Sequence, residues 1–516
     1  MLAEQIEKPD GRVELLEDVN LSGSPLYNED LAPTPLAKRS WTTYNFAALW
    51  ISMAHCIPTY MMASGLIAAG MTWSQALITI LLGNIIVLLP ILLNSHPGTK
   101  YGIPFPVFAR AAYGVYGSNL PAIMRAIVAC GWFGIQCWIG GKALHTLMRA
   151  MWPGWRSLLG PDVFGYAPTQ WLSFLVFWGL NILVIYRGMD LLRKVENWAA
   201  PYVLVMTAAL VYWAVDKASG LGPILEGGSH SHGGGGKSFF AIFIPSLTAM
   251  IGFWATLSLN MPDFTRYGRS QREQVVGQVV ALPTTMTAFA AMGVVITSAT
   301  FVIYGEAIWD PMDLALKFES RAMVAVAMFT VVVATLAVNI AANVVSPAND
   351  FANAFPRWIT FRRGGLITGL LGIAMCPWKL LADPSGYIFK WLLGYSGGLG
   401  SIAGVLIADY WLVKRRQLDL ADLYRVDGRY AYGAPVGGAT VGDAGTPARH
   451  AFNGSGTNRV AVVATLLGCA FAWIGLVVDP LRPLFDYAWF VGAGVAAGAY
   501  ILGMRITGDR AAAQAA

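Results

Sequence analysis

MAHCIPTY, residues 53–60, and IGFWATLSLNMPDF, residues 251–264, interrupt two long apolar segments with residues that a membrane-spanning helix seldom carries. Pro58 removes a backbone hydrogen-bond donor from the first segment, and His55 places an ionisable group near its mid-depth. In the second segment Gly252 is followed by the polar residues Asn260 and Asp263, with Pro262 between them. One such proline is compatible with a plain kink, because neighbouring groups can satisfy the freed carbonyl. Two matching interruptions five segments apart indicate inverted structural repeats instead.

Composition places the chain in the membrane. Its 516 residues are 56% hydrophobic and 12% charged, whereas a soluble domain carries about 25% charged residues. The net charge of +6 is not massed on one segment, so a nucleic-acid partner is not expected. The five cysteines show neither a disulfide framework nor metal-ligand spacing. The first 41 residues are polar and contain no signal peptide. We therefore expect a multi-span protein whose partner is the lipid bilayer, without a cofactor.

Apolar windows long enough to cross the hydrocarbon core predict about twelve spans. They lie near 43–71, 73–95, 119–148, 168–187, 195–215, 238–262, 275–304, 322–348, 364–380, 385–413, 459–479 and 484–504.

The spans divide the chain into five regions. We expect a cytoplasmic tail at 1–41, a transport core at 42–413 with spans 1–5 and 6–10 as the repeats, a cytoplasmic loop at 414–457, spans 11–12 at 458–505, and a tail at 506–516. Basic residues concentrate in alternate loops, which predicts that both termini are cytoplasmic in the cell's inner (plasma) membrane.

Spans 3 and 6 carry the first candidate binding residues. Trp132 and Gln136 are four residues apart and share one helical face. The pair is suited to stacking on a flat ring and bonding its amide edge, although packing between helices explains it as well. Gly252, Phe253 and Trp254 add a second aromatic face and exposed backbone groups at the interruption of span 6.

Span 8 contains the polar sequence VNIAANVVSPAND, residues 338–350. Its spacing places Asn339, Asn343 and Asp350 on one face of a single helix, with Asn349 beside them. Ionisable residues inside a membrane indicate functional sites. Asn343 is the favoured substrate ligand, whereas Asp350 is either a functional carboxylate or the partner of Arg357 past the helix end.

Other polar residues leave alternatives open. His55 is either a proton site or a neutral core histidine. Asp263 is expected to pair with Arg266 at the membrane surface rather than to carry a proton. His230 and His232 lie in an outside loop where a flexible polar segment is favoured over a metal site. The sequence has no phosphate-binding loop, zinc motif or nucleophile elbow, so an intramembrane enzyme is not expected.

The chain resembles the nucleobase–cation symporter-1 family, whose members carry hydantoins, allantoin, uracil, cytosine and purines. The likeness extends from about Asn28 to about Gly498. Among the branches of this family, the chain is most similar to the bacterial allantoin permeases. It is carried in order by NEDLAPT, NSHPGTKYGIPFPVFARAAYGVYGSNLPAIMRA, GWFGIQCW, LNMPDFTRY, GEAIWD, VNIAANVVSPANDFANAFP and CPWKL.

The resemblance implies an all-α membrane protein with a 5+5 inverted repeat (LeuT-like) and two C-terminal helices. It also implies that two tryptophans sandwich a small heterocyclic substrate while amides bond its edge. The substrate-binding residues expected on this basis are Trp132, Gln136, Trp254, Asn343, Gly252, Phe253 and Asn339.

The resemblance further implies a coupling cation, H+ or Na+. The cation-coupling positions are His55, Ser52, Ala334, Ala337, Val338, Asn349 and Asp350. In sodium-coupled members, span 8 hydroxyls complete the site, but the matching Ala337 and Val338 have no side-chain oxygen. Because a hard cation needs several oxygen ligands, a proton is favoured over sodium, with His55 and Asp350 as its candidate carriers.

The function expected is a secondary active symporter that imports a small planar ureide or nucleobase by alternating access. The alternatives are a transporter-like nutrient sensor, whose segment 414–457 and basic tail recruit a partner, and a sodium-coupled purine or cytosine permease. A monomer is compatible with the sequence, which leaves the oligomeric state open.

Overall fold

A computed structural model describes residues 4–187, 189–227, 239–382, 386–435 and 452–515 of the chain. His230 and His232, together with most of the glycine-rich run at 433–450, lie outside these described residues.

Helices occupy all twelve predicted span positions. Spans 1 to 6 are Thr43–Ala54 with Ile57–Ala68, Trp73–Tyr101, Asn119–Met151, Pro168–Arg187, Met189–Lys217, and Phe239–Phe253 with Leu257–Asn260 and Pro262–Thr265. Spans 7 to 12 are Gln271–Tyr304, Arg321–Asn343 with Val345–Ala354, Phe361–Ala374, Gly386–Leu392 with Leu393–Ile407 and Ala408–Val413, Arg459–Trp473, and Ala488–Ala515. Shorter helices cover Phe105–Tyr113, Leu221–Gly227, Pro311–Ala315, Pro377–Leu380 and Arg482–Asp486.

Among the described residues, eight helices are long and apolar enough to cross a membrane, and the two bent pairs bring this number to ten. Span 9 falls short of this length. Span 9 has 14 helical residues, which rise only about 21 Å at 1.5 Å per residue. Helices of the described residues therefore lie at all twelve predicted positions, and up to ten of these positions hold a helix or bent pair long and apolar enough to cross a membrane.

The two interrupted spans are bent as the sequence predicts. The halves of span 1 meet at 56° and those of span 6 at 42°. In span 1, Cys56 is extended and Pro58 lies in the first turn of the outer half, where its missing N–H is not needed. In span 6 the helix ends at Phe253 and resumes at Leu257.

Span 8 differs from the single helix that the sequence predicts. Two helical segments meet at Val344, whose φ of −116° departs from helical geometry. Asn343 ends the first segment, and Asp350 lies in the second rather than past the helix end. Both segments still pack against span 3, so the predicted common face is retained across the break.

The polar N-terminal segment packs against the first half of the loop after span 10. The buried Arg110 guanidinium donates to the Leu423 carbonyl at 3.0 Å and to the Leu26 carbonyl at 3.3 Å. The Tyr424 hydroxyl donates to the Leu31 carbonyl at 2.6 Å. The same loop leads to Asn458, which contacts the end of span 12. The N-terminal segment and the end of span 12 therefore lie at one end of the bundle, as an even number of spans requires.

Candidate substrate and cation sites

The two tryptophans are buried on either side of one phenylalanine. Trp132 is 5% exposed and Trp254 is 3% exposed. The Phe253 ring lies edge-on to both, with centroid distances of 5.2 Å to Trp132 and 4.9 Å to Trp254. Trp50 of span 1 also packs edge-on against Trp254, at 5.1 Å. The predicted residues of spans 3 and 6 are thus brought together in one aromatic cluster at the interruption of span 6.

Each ring N–H of this tryptophan pair is held by a residue that the sequence did not single out. Trp132 Nε1 donates to the Tyr395 hydroxyl of span 10 at 3.1 Å. Trp254 Nε1 donates to Asn84 Oδ1 of span 2 at 2.9 Å. A buried indole N–H usually finds such a partner. Asn84 could have been noticed as an amide within an apolar span, whereas Tyr395 is indistinguishable from a core aromatic in sequence.

The amides of spans 3 and 8 have different surroundings. Gln136 is 3% exposed, and its Oε1 accepts no hydrogen bond from the part of the chain that the structure describes. Asn343 donates to Asn339 Oδ1 at 3.0 Å, and Asn339 donates to Asn181 Oδ1 of span 4 at 3.1 Å. Asn339 thus links spans 4 and 8, while an unpaired buried oxygen such as that of Gln136 is costly unless a ligand supplies the donor.

Gly252 permits a close approach between spans 6 and 10. A Cβ atom there would lie 2.6 Å from the Leu392 carbonyl oxygen, which is too close. The Gly252 carbonyl accepts from the Tyr395 hydroxyl at 2.8 Å and from the Ala255 amide at 2.9 Å. Both of its lone pairs are therefore engaged within the protein, and the predicted substrate contact at this residue does not fall on a free carbonyl.

Two of the seven candidate cation positions line a separate cavity of about 380 Å³. His55 and Ala334 both line it, together with Thr207 and Phe289. The His55 ring stacks on Phe289 at 4.3 Å, and its Nε2 lies 3.2 Å from Thr207 Oγ1. The tryptophan pair, Gln136 and Asn343 do not line this cavity. Its wall is almost wholly apolar, so the cavity is not by itself a cation site.

Span 8 offers the cation positions few side-chain oxygens. Ala337 and Val338 are buried, and neither carries one. Thr335, which the sequence reasoning missed, is 1% exposed and has no hydrogen-bond partner for Oγ1 among the described residues. Ser52 is half-buried in span 1. The described side chains contain no cluster of three metal-ligating residues.

Asp350 pairs with Arg125 of span 3 and not with Arg357, the partner that one of its two alternatives named. Arg125 Nη1 lies 2.9 Å from Asp350 Oδ2, and both side chains are fully buried. Asn349, beside this carboxylate, is 4% exposed. Spacing along the chain favoured Arg357 because it is seven residues away, but the packing of span 8 against span 3 brings the more distant arginine into contact.

Asp263 does not form the expected ion pair with Arg266 at the membrane surface. It is 2% exposed, and its Oδ1 accepts from the Phe105 amide at 2.9 Å. Arg266 instead donates to the Asp30 carbonyl and to the Tyr267 hydroxyl. Asp263 therefore fixes the inner end of span 6 against the helix that starts at Phe105, because a carboxylate satisfies the free N–H groups of a helix start.

This architecture has known counterparts. Residues 33–440 match the family of permeases for cytosine and purines, uracil, thiamine and allantoin. The chain is 41% identical over 496 residues to the allantoin permease of Bacillus subtilis, covering 95% of this chain and 96% of that one. The chain belongs to the nucleobase–cation symporter-1 family. The purine-uracil permease NCS1 of Arabidopsis thaliana is also 41% identical, over 77% of this chain and 66% of its own length.

Solved structures confirm the fold of this family member. The transporter Mhp1, solved in a closed conformation with bromovinylhydantoin bound, is 26% identical with a TM-score of 0.73, covering 94% of this chain and 96% of Mhp1. The more distant MhsT shares the fold at 14% identity and a TM-score of 0.50, over 88% of this chain and 97% of its own. The predicted all-α, LeuT-like class is confirmed. The relatives are permeases, so the expectation of a transporter rather than an enzyme is confirmed as well.

Proposed function

We propose that the protein is a secondary active symporter that imports a small planar ureide or nucleobase by alternating access, with allantoin the first candidate. The observation that carries this proposal is the aromatic cluster of Trp132, Phe253 and Trp254, one turn of span 3 from the unpaired oxygen of Gln136. The similarity to the Bacillus subtilis allantoin permease over nearly the whole chain supports the choice of ring.

The chemistry of such a ring suits these residues. Ureides and nucleobases present alternating N–H and C=O groups on a flat edge. Gln136 Oε1 is an acceptor for a ring N–H, and Asn343, 7% exposed at the break of span 8, adds an amide. A site built to bond such an edge rejects analogues that lack it, because its buried polar groups are then left unpaired. The indole faces supply apolar contact with the ring plane.

We infer that the coupling ion is a proton rather than sodium. The alanine and valine at 337 and 338 leave span 8 without the expected side-chain oxygens. His55 and Asp350 are the titratable groups proposed to carry the proton. The buried Thr335 hydroxyl is what supports the sodium alternative. Coupling by either ion requires that its binding favour one of the two alternating states.

We further propose that the carrier lies in the inner (plasma) membrane with both termini cytoplasmic, and that residues 42–413 form its transport core. The part of the loop after span 10 that the structure describes packs against the chain's own N-terminal segment. This packing does not favour the sensor alternative, which needs the loop for a partner.

Uptake into proteoliposomes tests the proposal. Allantoin, hydantoin, uracil and a purine are each offered with a sodium gradient, a proton gradient or both. We expect one ring to accumulate when the outside is acidic, to be released by an uncoupler, and to be indifferent to sodium removal. Accumulation of none of them under either gradient contradicts the proposed function. A strict sodium requirement contradicts the choice of ion alone.

The role of Asn343 is tested by Asn343→Ala in a detergent binding assay, where binding of the accumulated ring should be lost while the melting profile shows a folded protein. Asn20→Ala, at an exposed asparagine of the N-terminal segment, is the matched control. Unaltered affinity in Asn343→Ala would refute the assigned role.

A further inference from the structure

Span 10 packs aromatic residues four positions apart against Trp132. Its first turns form a π-helix over Gly386–Leu392, a geometry that often marks functional sites. The Trp391 ring lies 6.2 Å from the Trp132 ring and 5.0 Å from that of Tyr395. This packing brings the Tyr395 hydroxyl to the point where spans 3, 6 and 10 meet.

The Tyr395 hydroxyl makes two hydrogen bonds of opposite direction. It accepts from Trp132 Nε1 at 3.1 Å and donates to the Gly252 carbonyl at 2.8 Å. A phenol has one proton to donate, and here that proton points to span 6 because the carbonyl can only accept. The hydroxyl's lone pair is then directed to the indole. One side chain therefore connects the Trp132 ring to the interruption of span 6.

Removal of the Tyr395 hydroxyl would affect its two hydrogen-bond partners differently. The Gly252 carbonyl keeps the Ala255 amide at 2.9 Å when the hydroxyl is removed. The Trp132 N–H has Tyr395 as its acceptor, and Trp132 is 5% exposed. Loss of the hydroxyl thus leaves the indole N–H buried without its acceptor and frees the ring to turn, while the backbone of span 6 remains satisfied.

We propose that the Tyr395 hydroxyl is a positioning group of the carrier, which holds the Trp132 ring at the angle that receives the substrate. The inference rests on the proposed function, because it assigns Trp132 to the ring site. Tyr395 acts through Trp132, so its removal weakens substrate binding without slowing the transport cycle. Such uniform weakening appears in KM and not in the maximal rate.

Tyr395→Phe tests this role, because it removes the hydroxyl and keeps the ring. We expect the KM for allantoin uptake to rise about five- to thirtyfold, as the loss of one buried hydrogen bond predicts, with an unchanged maximal rate. Tyr410→Phe is the matched control. Tyr410 is also buried in span 10, and its hydroxyl bonds His96 at 2.8 Å, away from Trp132.

A double-mutant cycle separates positioning from general packing. Trp132→Phe removes the indole N–H and keeps an aromatic face, so adding Tyr395→Phe to it should raise KM no further. Additive effects of the two substitutions would overturn the inference, as would an unchanged KM in Tyr395→Phe or a rise matched by Tyr410→Phe. If allantoin is not accumulated by the wild-type protein, the same cycle uses whichever ring is. If none is accumulated, the proposed function fails and this inference fails with it.

Discussion

Replacement of Asp350 by Asn should destabilise the protein far more than the same change at an exposed ion pair. Arg125 and Asp350 are fully buried and share a single contact of 2.9 Å. The substitution preserves the shape of the side chain but leaves the arginine charge without its counter-ion. Breaking a buried pair in this way costs about 3–5 kcal/mol. The side chains of the surface pair Arg156–Asp162 are 59% and 45% exposed. Asp162→Asn should therefore cost only about 0–1 kcal/mol of stability.

The pair is also incompletely satisfied. Arg125 Nε and Nη2 and Asp350 Oδ1 have no hydrogen-bond partner among the described residues. A buried pair with unmet donors and acceptors contributes little net stability relative to neutral side chains. The double variant Arg125→Met with Asp350→Asn should therefore be more stable than either single variant, because neither member of the pair is then left charged without the other.

These stabilities are compared by thermal unfolding in detergent of the wild type, the two single variants and the double variant, with Asp162→Asn as the control. One heating rate is used throughout, because such unfolding is often irreversible. Proteoliposome uptake is measured in parallel. Equal melting shifts for Asp350→Asn and Asp162→Asn would refute the burial argument. A double variant less stable than both singles would refute the compensation argument. A stable double variant that takes up the ring without proton coupling would assign the Arg125–Asp350 pair to the coupling step.

Three further substitutions test the neighbouring contacts. Gly252→Ala should lower stability by about 1–3 kcal/mol through overpacking, since its Cβ would lie 2.6 Å from the Leu392 carbonyl; an unshifted melting temperature would contradict that close approach. Asn84→Leu leaves the Trp254 N–H unpaired, which should lower the free energy of unfolding by about 1–3 kcal/mol and weaken substrate binding as measured by isothermal titration. An unchanged affinity would argue that this hydrogen bond does not hold Trp254. His55→Gln should abolish the acceleration of uptake by outside acidity but leave the exchange of unlabelled for labelled substrate intact. If uptake still depends on protons in this variant, Asp350 remains as the proton-carrying residue.

Sequence patterns predict well those features that depend on neighbours along one helix. The bends of spans 1 and 6 follow from a proline and a glycine, whose backbone effects are local. The common face of Asn339 and Asn343 follows from helical spacing and is confirmed by their 3.0 Å hydrogen bond. Patterns of this kind also located the tryptophan pair on its two spans.

Contacts between helices distant in sequence were predicted poorly. For Asp350 the sequence offered Arg357 as one possible partner, but its actual partner, Arg125, lies 225 positions away. Asp263 was expected to pair with the nearby Arg266, but its partner is the backbone amide of Phe105, 158 positions away. Such partners are determined by how the helices pack against one another. Helical periodicity predicts which residues share a face of one helix, but not which other helix packs against that face.

The anchoring of the tryptophan pair connects the two repeats. Trp132 belongs to the first repeat, and its N–H is held by Tyr395 of the second; Trp254 belongs to the second, and its N–H is held by Asn84 of the first. Each aromatic face is therefore oriented by the opposite repeat. The alternating access proposed above requires the repeats to move relative to one another, and at least one of these bonds must then lengthen or carry its ring along. Under that proposal the orientation of both rings depends on the conformational state, and such dependence is what differential affinity for a substrate in two alternating states requires.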